Sequence, residues 1–553
     1  EQVVEDHRVV HQLAFVCDCL GLAALKAFDL VQQLLGLFAV LLANVVVKGL
    51  NHQVDALHFG QVEPQQQIEH LVGTLVVLAQ QIGVQAQVVA VIARVQHAGE
   101  FAIEQTIELV PLLRSHKLLQ ALKRGAFFDA KEYRHGDANN DEVLESYEKK
   151  PLSIYIHIPF CVKKCAYCDF LSFPVGAACM SGYGVYREKY IEALCEELKS
   201  YSYLAETHKV RTIYIGGGTP SILEPDEITL VMTTVRKLFD VAEDAEISIE
   251  VNPGTLTSRK AAEYIANGIN RMSIGLQSAQ KNELEALGRI HNYDQFLAAF
   301  DMAREAGFRN INIDLMSDIP GQTMRSYLDT LDKVLRCKPE HISSYSLIVE
   351  DGTPLAADEN LLSQIPDEDV DRQMYDITNK LLGTGGYHRY EISNYAKAGC
   401  ECRHNIVYWT LGEYIGIGIG AASFLYGRRY TNTSSLEDYI DGMARHRELM
   451  TFGDPVANSG KARDIIEHMR NVEEELDADR LMEEYMFLGL RMISGVSAEK
   501  FNDYFGHSIY DIYGPVIDKY KSTGHLEDDH GLIRLTKKGI DVSNTILADF
   551  LIE

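Results

Sequence analysis

The stretch Ile154–Phe170, IYIHIPFCVKKCAYCDF, places three cysteines, Cys161, Cys165 and Cys168, within eight residues. A disulfide framework uses an even number of thiols, and a closed structural metal site usually takes four ligands. Three thiolates on one loop instead suit an iron–sulfur cubane, a [4Fe-4S] cluster, with one corner open to something other than protein. A zinc site completed by a distant histidine is the other reading. Others, such as Cys195 and Cys337, stand alone, and ten cysteines in 553 residues fit a reducing compartment.

The loop follows the first of six β-rich runs. These are SIYIHIPF (153–160), TIYIGGGT (212–219), EISIEVNP (246–253), RMSIGLQS (271–278), NINIDLMSDIP (310–320) and HISSYSLI (341–348). Amphipathic stretches lie between them, including Tyr186–Tyr201, Pro225–Phe239, Tyr293–Ala306 and Ser326–Leu335. Strands alternating with helices predict an α/β fold whose parallel sheet curls through right-handed crossovers into a partial TIM-type (β/α)6 barrel. GGGT, Glu250, Gln277 and Asp314 fall at the strands' C-terminal ends, where such folds place their sites.

The barrel is expected over residues 150–385, followed by an irregular region, 386–460. From Lys461 to 553 the pattern is mainly helical, and HLEDDHGLIRLT reads as a hairpin in a helical or winged-helix-like module. Residues 1–145 differ in kind. Their first hundred contain no serine or tyrosine, and the chain has no methionine before Met180. Two readings remain, an extra helical domain or translated non-coding sequence, and the composition favours the second. Peptides from residues 1–130 found by mass spectrometry of the native protein would reject it. The longest apolar run, Leu34–Val47, is too short to span a bilayer, and EQVVEDHRVV lacks a basic secretory n-region. A cytoplasmic location is therefore expected. The net charge of −27 argues against nucleic acid as a partner.

CxxxCxxC after a first strand, with Tyr167 before the last cysteine, resembles the signature of the radical S-adenosylmethionine (SAM) enzymes. IYIHIPFC, GGGTPS, EVNPGT, SIGLQS, NIDLM with PGQT, and RHNIVYW together resemble the oxygen-independent coproporphyrinogen III oxidase family over about residues 150–550. The resemblance implies cluster ligation by Cys161, Cys165 and Cys168. It implies SAM contacts from Tyr155, Gly217 and Glu250. Gly218, Thr219, Gln277, Arg289 and Asp314 match positions that line a second SAM site in the oxidase.

The oxidase pattern resembles CxxxCxxCxC, whereas this chain carries Phe170 at the last position. A phenylalanine there, with HNIVYW at His404–Trp409, resembles the HemW-like branch, which binds heme and delivers it to respiratory proteins. That resemblance implies heme as a further cofactor, with His404 as a candidate ligand and Cys400 and Cys402 nearby. Ala422 departs from it, standing where many members carry histidine. An electron donor, a heme acceptor at a membrane, and a homodimer are the partners it implies. The alternatives are oxidative decarboxylation of coproporphyrinogen III to protoporphyrinogen IX, and another radical reaction on a tetrapyrrole.

Overall fold

The computed structural model describes residues 149–175, 180–452 and 455–552, so the expectation for residues 1–145 lies outside them. All six β-rich runs form strands: β1 (Lys150–Ile158), β2 (His208–Gly217), β3 (Val241–Val251), β4 (Arg271–Gln277), β5 (Asn310–Ser317) and β6 (His341–Ser346). They pair in parallel in chain order. The crossovers carry α1 (Met180–Ser200), α2 (Pro225–Leu238), α3 (Ser258–Ala266), α4 (Tyr293–Ala306) and α5 (Met324–Cys337). Local chemistry sets several boundaries. Asn292 and Gln295 form a capping box at the start of α4, and Gly307, at φ 111°, takes the left-handed turn that ends it.

Every strand alternates. Ile154, Ile213, Ile249, Ile274 and Ile313 point into one hydrophobic core. The intervening residues are polar, among them Thr212, Tyr214, Glu250, Ser273, Asn312 and Asp314. Most parallel strands are apolar on both faces. Here one face packs against helices and the other is free to line a cavity.

After α6 (Glu368–Thr384), the region from 386, expected to be irregular, instead extends the sheet, with α7 (Arg403–Trp409), α8 (Leu436–Phe452) and α9 (Pro455–His468) between its strands. β7 (His388–Arg389) and β8 (Asn394–Ala396) add to β6 in antiparallel fashion. β9 (Tyr414–Ile417) runs parallel to β1, and β10 (Ala422–Leu425), β11 (Arg428–Asn432) and β12 (Arg470–Glu475) follow antiparallel. The twelve-stranded order is β12-β11-β10-β9-β1-β2-β3-β4-β5-β6-β8-β7, so the barrel is partial, not closed. These strands escape the sequence pattern because they are short. RNVEEE in β12 also has poor β-propensity and is held by its pairing with β11.

The last residues have a core of their own, including Met486, Phe501, Tyr513 and Phe550. The predicted hairpin is β14 (Leu526–Asp529) with β15 (Leu532–Leu535), joined by β13 (Val496–Ser497). No helix among the described residues is long and apolar enough to cross a membrane.

Candidate functional site

The cysteine loop leaves β1 at its C-terminal end and is closed by a short parallel pairing of Phe160–Cys161 with Phe173–Pro174. Backbone bonds clamp its middle: Ala166 N–H donates to Leu287 O at 3.0 Å, and Leu355 N–H donates to Ala166 O at 2.9 Å. Cys161 is buried, and Cys165 and Cys168 are half-buried. Thr219 Oγ1 donates to Cys161 Sγ at 3.4 Å, and Arg289 Nη1 donates to Cys165 Sγ at 3.6 Å. Burial pushes the Cys161 thiol up and that of Cys168 to about 11. Gly218 makes room for the loop. A Cβ there would lie 2.9 Å from the carbonyl oxygens of Ile158 and Phe160 and 3.0 Å from Cys161 Sγ.

These groups line one cavity of about 350 Å³, in the range of small-molecule sites. Cys161, Cys165, Tyr167, Cys168, Gly217, Gly218, Thr219, Glu250, Gln277, Arg289 and Asp314 all face it. Glu250 accepts from Gly217 N–H at 3.0 Å and from Tyr214 Oη at 2.8 Å. Gly217 sits at φ 109°, a left-handed conformation that aims this N–H. Burial, with the nearby Asp314 charge, lifts the Glu250 carboxyl to about 7. Asp314 is also raised by burial, although Ser273 Oγ (2.9 Å) and Asn312 Nδ2 (2.7 Å) donate to it. Arg289 is fixed by Asn252 Oδ1 at 3.0 Å and Gly275 O at 2.5 Å. Gln277 holds φ 65°, rare for a residue with a Cβ.

Two expected site residues lie elsewhere. Tyr155 does not line the cavity. Its ring stacks behind Tyr214 at 6.3 Å and its hydroxyl meets His157 Nδ1 at 2.9 Å, so it props the wall. His404 is buried on α7 (Arg403–Trp409), 1% exposed. The Thr212 hydroxyl donates to Ser153, so His404 Nδ1 donates to Thr212 at 2.8 Å and Nε2 accepts from Tyr408 Oη at 2.9 Å. Both ring nitrogens of His404, expected as a heme ligand, are thus engaged within the protein in this conformation. Burial and the Arg271 charge hold this imidazole near 3. Glu246 accepts the first backbone N–H groups of α7, from Arg403 and His404, both at 3.0 Å. Cys402 Sγ also approaches Glu246 at 3.6 Å, so it is packed inside as well. The HNIVYW segment thus plugs the inner face of the sheet and contributes Asn405 to the cavity wall.

Tyr214, Asn252, Arg271, Asn312, Ser343 and Tyr345 also line the cavity and were not singled out from sequence. For Tyr214, Asn312, Ser343 and Tyr345 the signal was present in the polar phase of their strands.

The Radical SAM superfamily model matches residues 155–334, and the HemN C-terminal domain model matches 476–542. The chain is 35% identical to heme chaperone HemW of Lactococcus lactis subsp. lactis over 406 residues, 73% of this chain and 98% of that protein. For heme chaperone HemW of Escherichia coli K12 the figures are 34% over 408 residues, 73% and 99%. Among solved structures, coproporphyrinogen III oxidase HemN from Escherichia coli aligns with TM-score 0.60 at 23% identity, covering 73% of this chain and 90% of that one, which shows a shared fold.

The superfamily implies a [4Fe-4S] cluster and SAM, and the residues fit both. No group of three or more His, Cys, Asp or Glu side chains among the described residues converges on a single-ion site. A cubane, whose irons occupy separate corners, needs no such convergence. Among the described residues no fourth cysteine lines the cavity, while backbone N–H groups, a carboxylate and a guanidinium beside the thiols suit an aminocarboxylate. By identity over nearly the full length of these relatives, with the thiol loop in its place behind the first strand, the chain belongs to the HemW heme chaperone family of the radical SAM superfamily.

Proposed function

We propose that this protein binds heme and passes it to an acceptor protein, with Cys161, Cys165 and Cys168 holding the [4Fe-4S] cluster and the cavity around Gly217 and Glu250 holding SAM. The reading rests on the HemW relatives, which match along 98–99% of their own length. Phe170 supports it. Where the oxidase pattern carries a further cysteine, this ring stands 60% exposed at the cavity mouth. The cluster would supply the coordination site for the SAM aminocarboxylate. The chain's own residues do the rest. Gly217 and Tyr214 orient the Glu250 carboxylate, Arg289 places positive charge beside Cys165, and Lys163 and Lys164 add positive charge at the rim. An electron donor, a membrane-associated acceptor and a homodimer belong to the same proposal.

Anaerobic, cluster-reconstituted protein should develop a Soret band on hemin titration. It should yield no protoporphyrinogen IX from coproporphyrinogen III and SAM. Protoporphyrinogen formation would establish the oxidase instead.

A further inference from the structure

The cavity holds a cation that nothing among the described residues neutralises by contact. Arg271, the first residue of β4, is 2% exposed and is among the largest fully buried side chains. It lines the cavity, and its Nε has no hydrogen-bond partner. No carboxylate forms an ion pair with it among the described residues. A buried guanidinium without such partners is costly and calls for an anion.

Three carboxylates lie within its electrostatic reach, and each is engaged elsewhere. Glu246 is taken by the start of α7, Glu250 by Gly217 and Tyr214, and Asp314 by Ser273 and Asn312. The cavity wall also carries the neutral polar side chains Ser273, Asn312, Ser343 and Asn405. Such a lining suits a carboxylate that brings its own charge. The carboxylate of a SAM bound at the thiol loop does not fit this place. Six residues of strand, about 20 Å at a rise near 3.3 Å, separate Arg271 from Gln277 at the other end of β4. Arg289 already supplies the cation at that end.

We propose that Arg271 is the recognition residue for the carboxylate of a second ligand, distinct from the aminocarboxylate bound at the thiol loop, held by a guanidinium clamp in the cavity. A heme propionate is the source favoured by the proposed function, on which this identification rests. A second SAM molecule offers the same chemistry.

The test uses full-length, cluster-reconstituted protein, with wild type, Arg271→Lys and Arg271→Met compared. Hemin and hemin dimethyl ester are titrated against each, SAM stoichiometry is measured by equilibrium dialysis, and the cluster's EPR response to SAM is recorded. Wild type should bind hemin about tenfold more tightly than the diester, since one charged hydrogen-bonded pair is lost on esterification. Arg271→Met should abolish that preference, Arg271→Lys should retain part of it, and the EPR response should be the same in all three. The diester arm leaves the protein unaltered, so it reports even if a variant folds poorly.

Equal binding of hemin and diester by wild type overturns the clamp, as does a preference that survives in Arg271→Met. Loss of the EPR response in Arg271→Met also overturns it, because Arg271 would then serve the first ligand. If wild type binds neither form of hemin, the heme proposal fails and dialysis decides the clamp. Two SAM molecules in wild type and one in Arg271→Met support it, and equal stoichiometry overturns it.

Discussion

Glu250 carries the electrostatics of the site. Its carboxyl is lifted from its ordinary 4.5 to about 7, chiefly by burial. Between those values the native chain holds a proton that the unfolded chain has released. Stability therefore falls as pH rises through this window and levels off above 7. Glu250→Gln removes the effect, so in urea unfolding of cluster-free protein the variant should gain on wild type from pH 5 to pH 8, by up to about 3 kcal/mol. A difference independent of pH would show that the carboxyl is not so perturbed. Gly218 acts by absence. A methyl there meets two carbonyl oxygens and Cys161 Sγ within 3.0 Å, and the two oxygens belong to the backbone, which cannot swing aside. Gly218→Ala should displace the thiol loop at a cost of about 1–3 kcal/mol. Iron and sulfide per chain should fall well below wild type, and full cluster content would contradict this account. The cysteines and GGGT were legible because their chemistry is local. Arg271 was not, since an arginine opening a strand is ordinary until the sheet turns it inward.

At the scale of elements, α7 shows a motif legible as special whose side chains the fold engages internally. Its histidine, flanked by two cysteines, looked like a ligand set. The fold instead spends the imidazole on Thr212 and Tyr408, stacks it on Tyr214 at 5.2 Å, and uses Glu246 to satisfy the helix start. Carboxylates at a helix N-terminus are stabilising there. His404→Ala should accordingly cost about 3 kcal/mol, from the lost packing and from the Tyr408 hydroxyl left without its acceptor. Hemin affinity should stay unchanged. A Soret band lost at undiminished stability would return His404 to the heme. The six parallel strands were visible as alternating runs, and β14 and β15 as a hairpin around Asp529-His530-Gly531. The strands β7 to β12 were not, because two to six residues carry too little periodicity to distinguish them from loops.

Over the whole molecule, the sheet core and the C-terminal core are separate clusters, and a few contacts join them. Arg429 on β11 grips Glu484 on α10 (Ala478–Gly489) with two nitrogens, at 2.6 and 2.7 Å, and Glu484 is buried. Arg429→Met would strand that carboxylate at a cost of about 2–3 kcal/mol, less than for a fully buried pair because Arg429 stays 25% exposed. Amide exchange should then quicken across residues 478–552 and stay unchanged in β4. Unaltered exchange in the C-terminal module would mean that the pair does not hold it. By itself the sequence determined the strand–helix alternation, the thiol loop and the polar phase of each strand, because backbone periodicity and ligand spacing act over a few residues. Tertiary structure alone decided that the sheet stays open, that α7 fills its inner face, and that Arg271 lies buried at the cavity. Each of those outcomes depends on groups more than a hundred residues apart, and burial sets its cost only once the chain has closed around them.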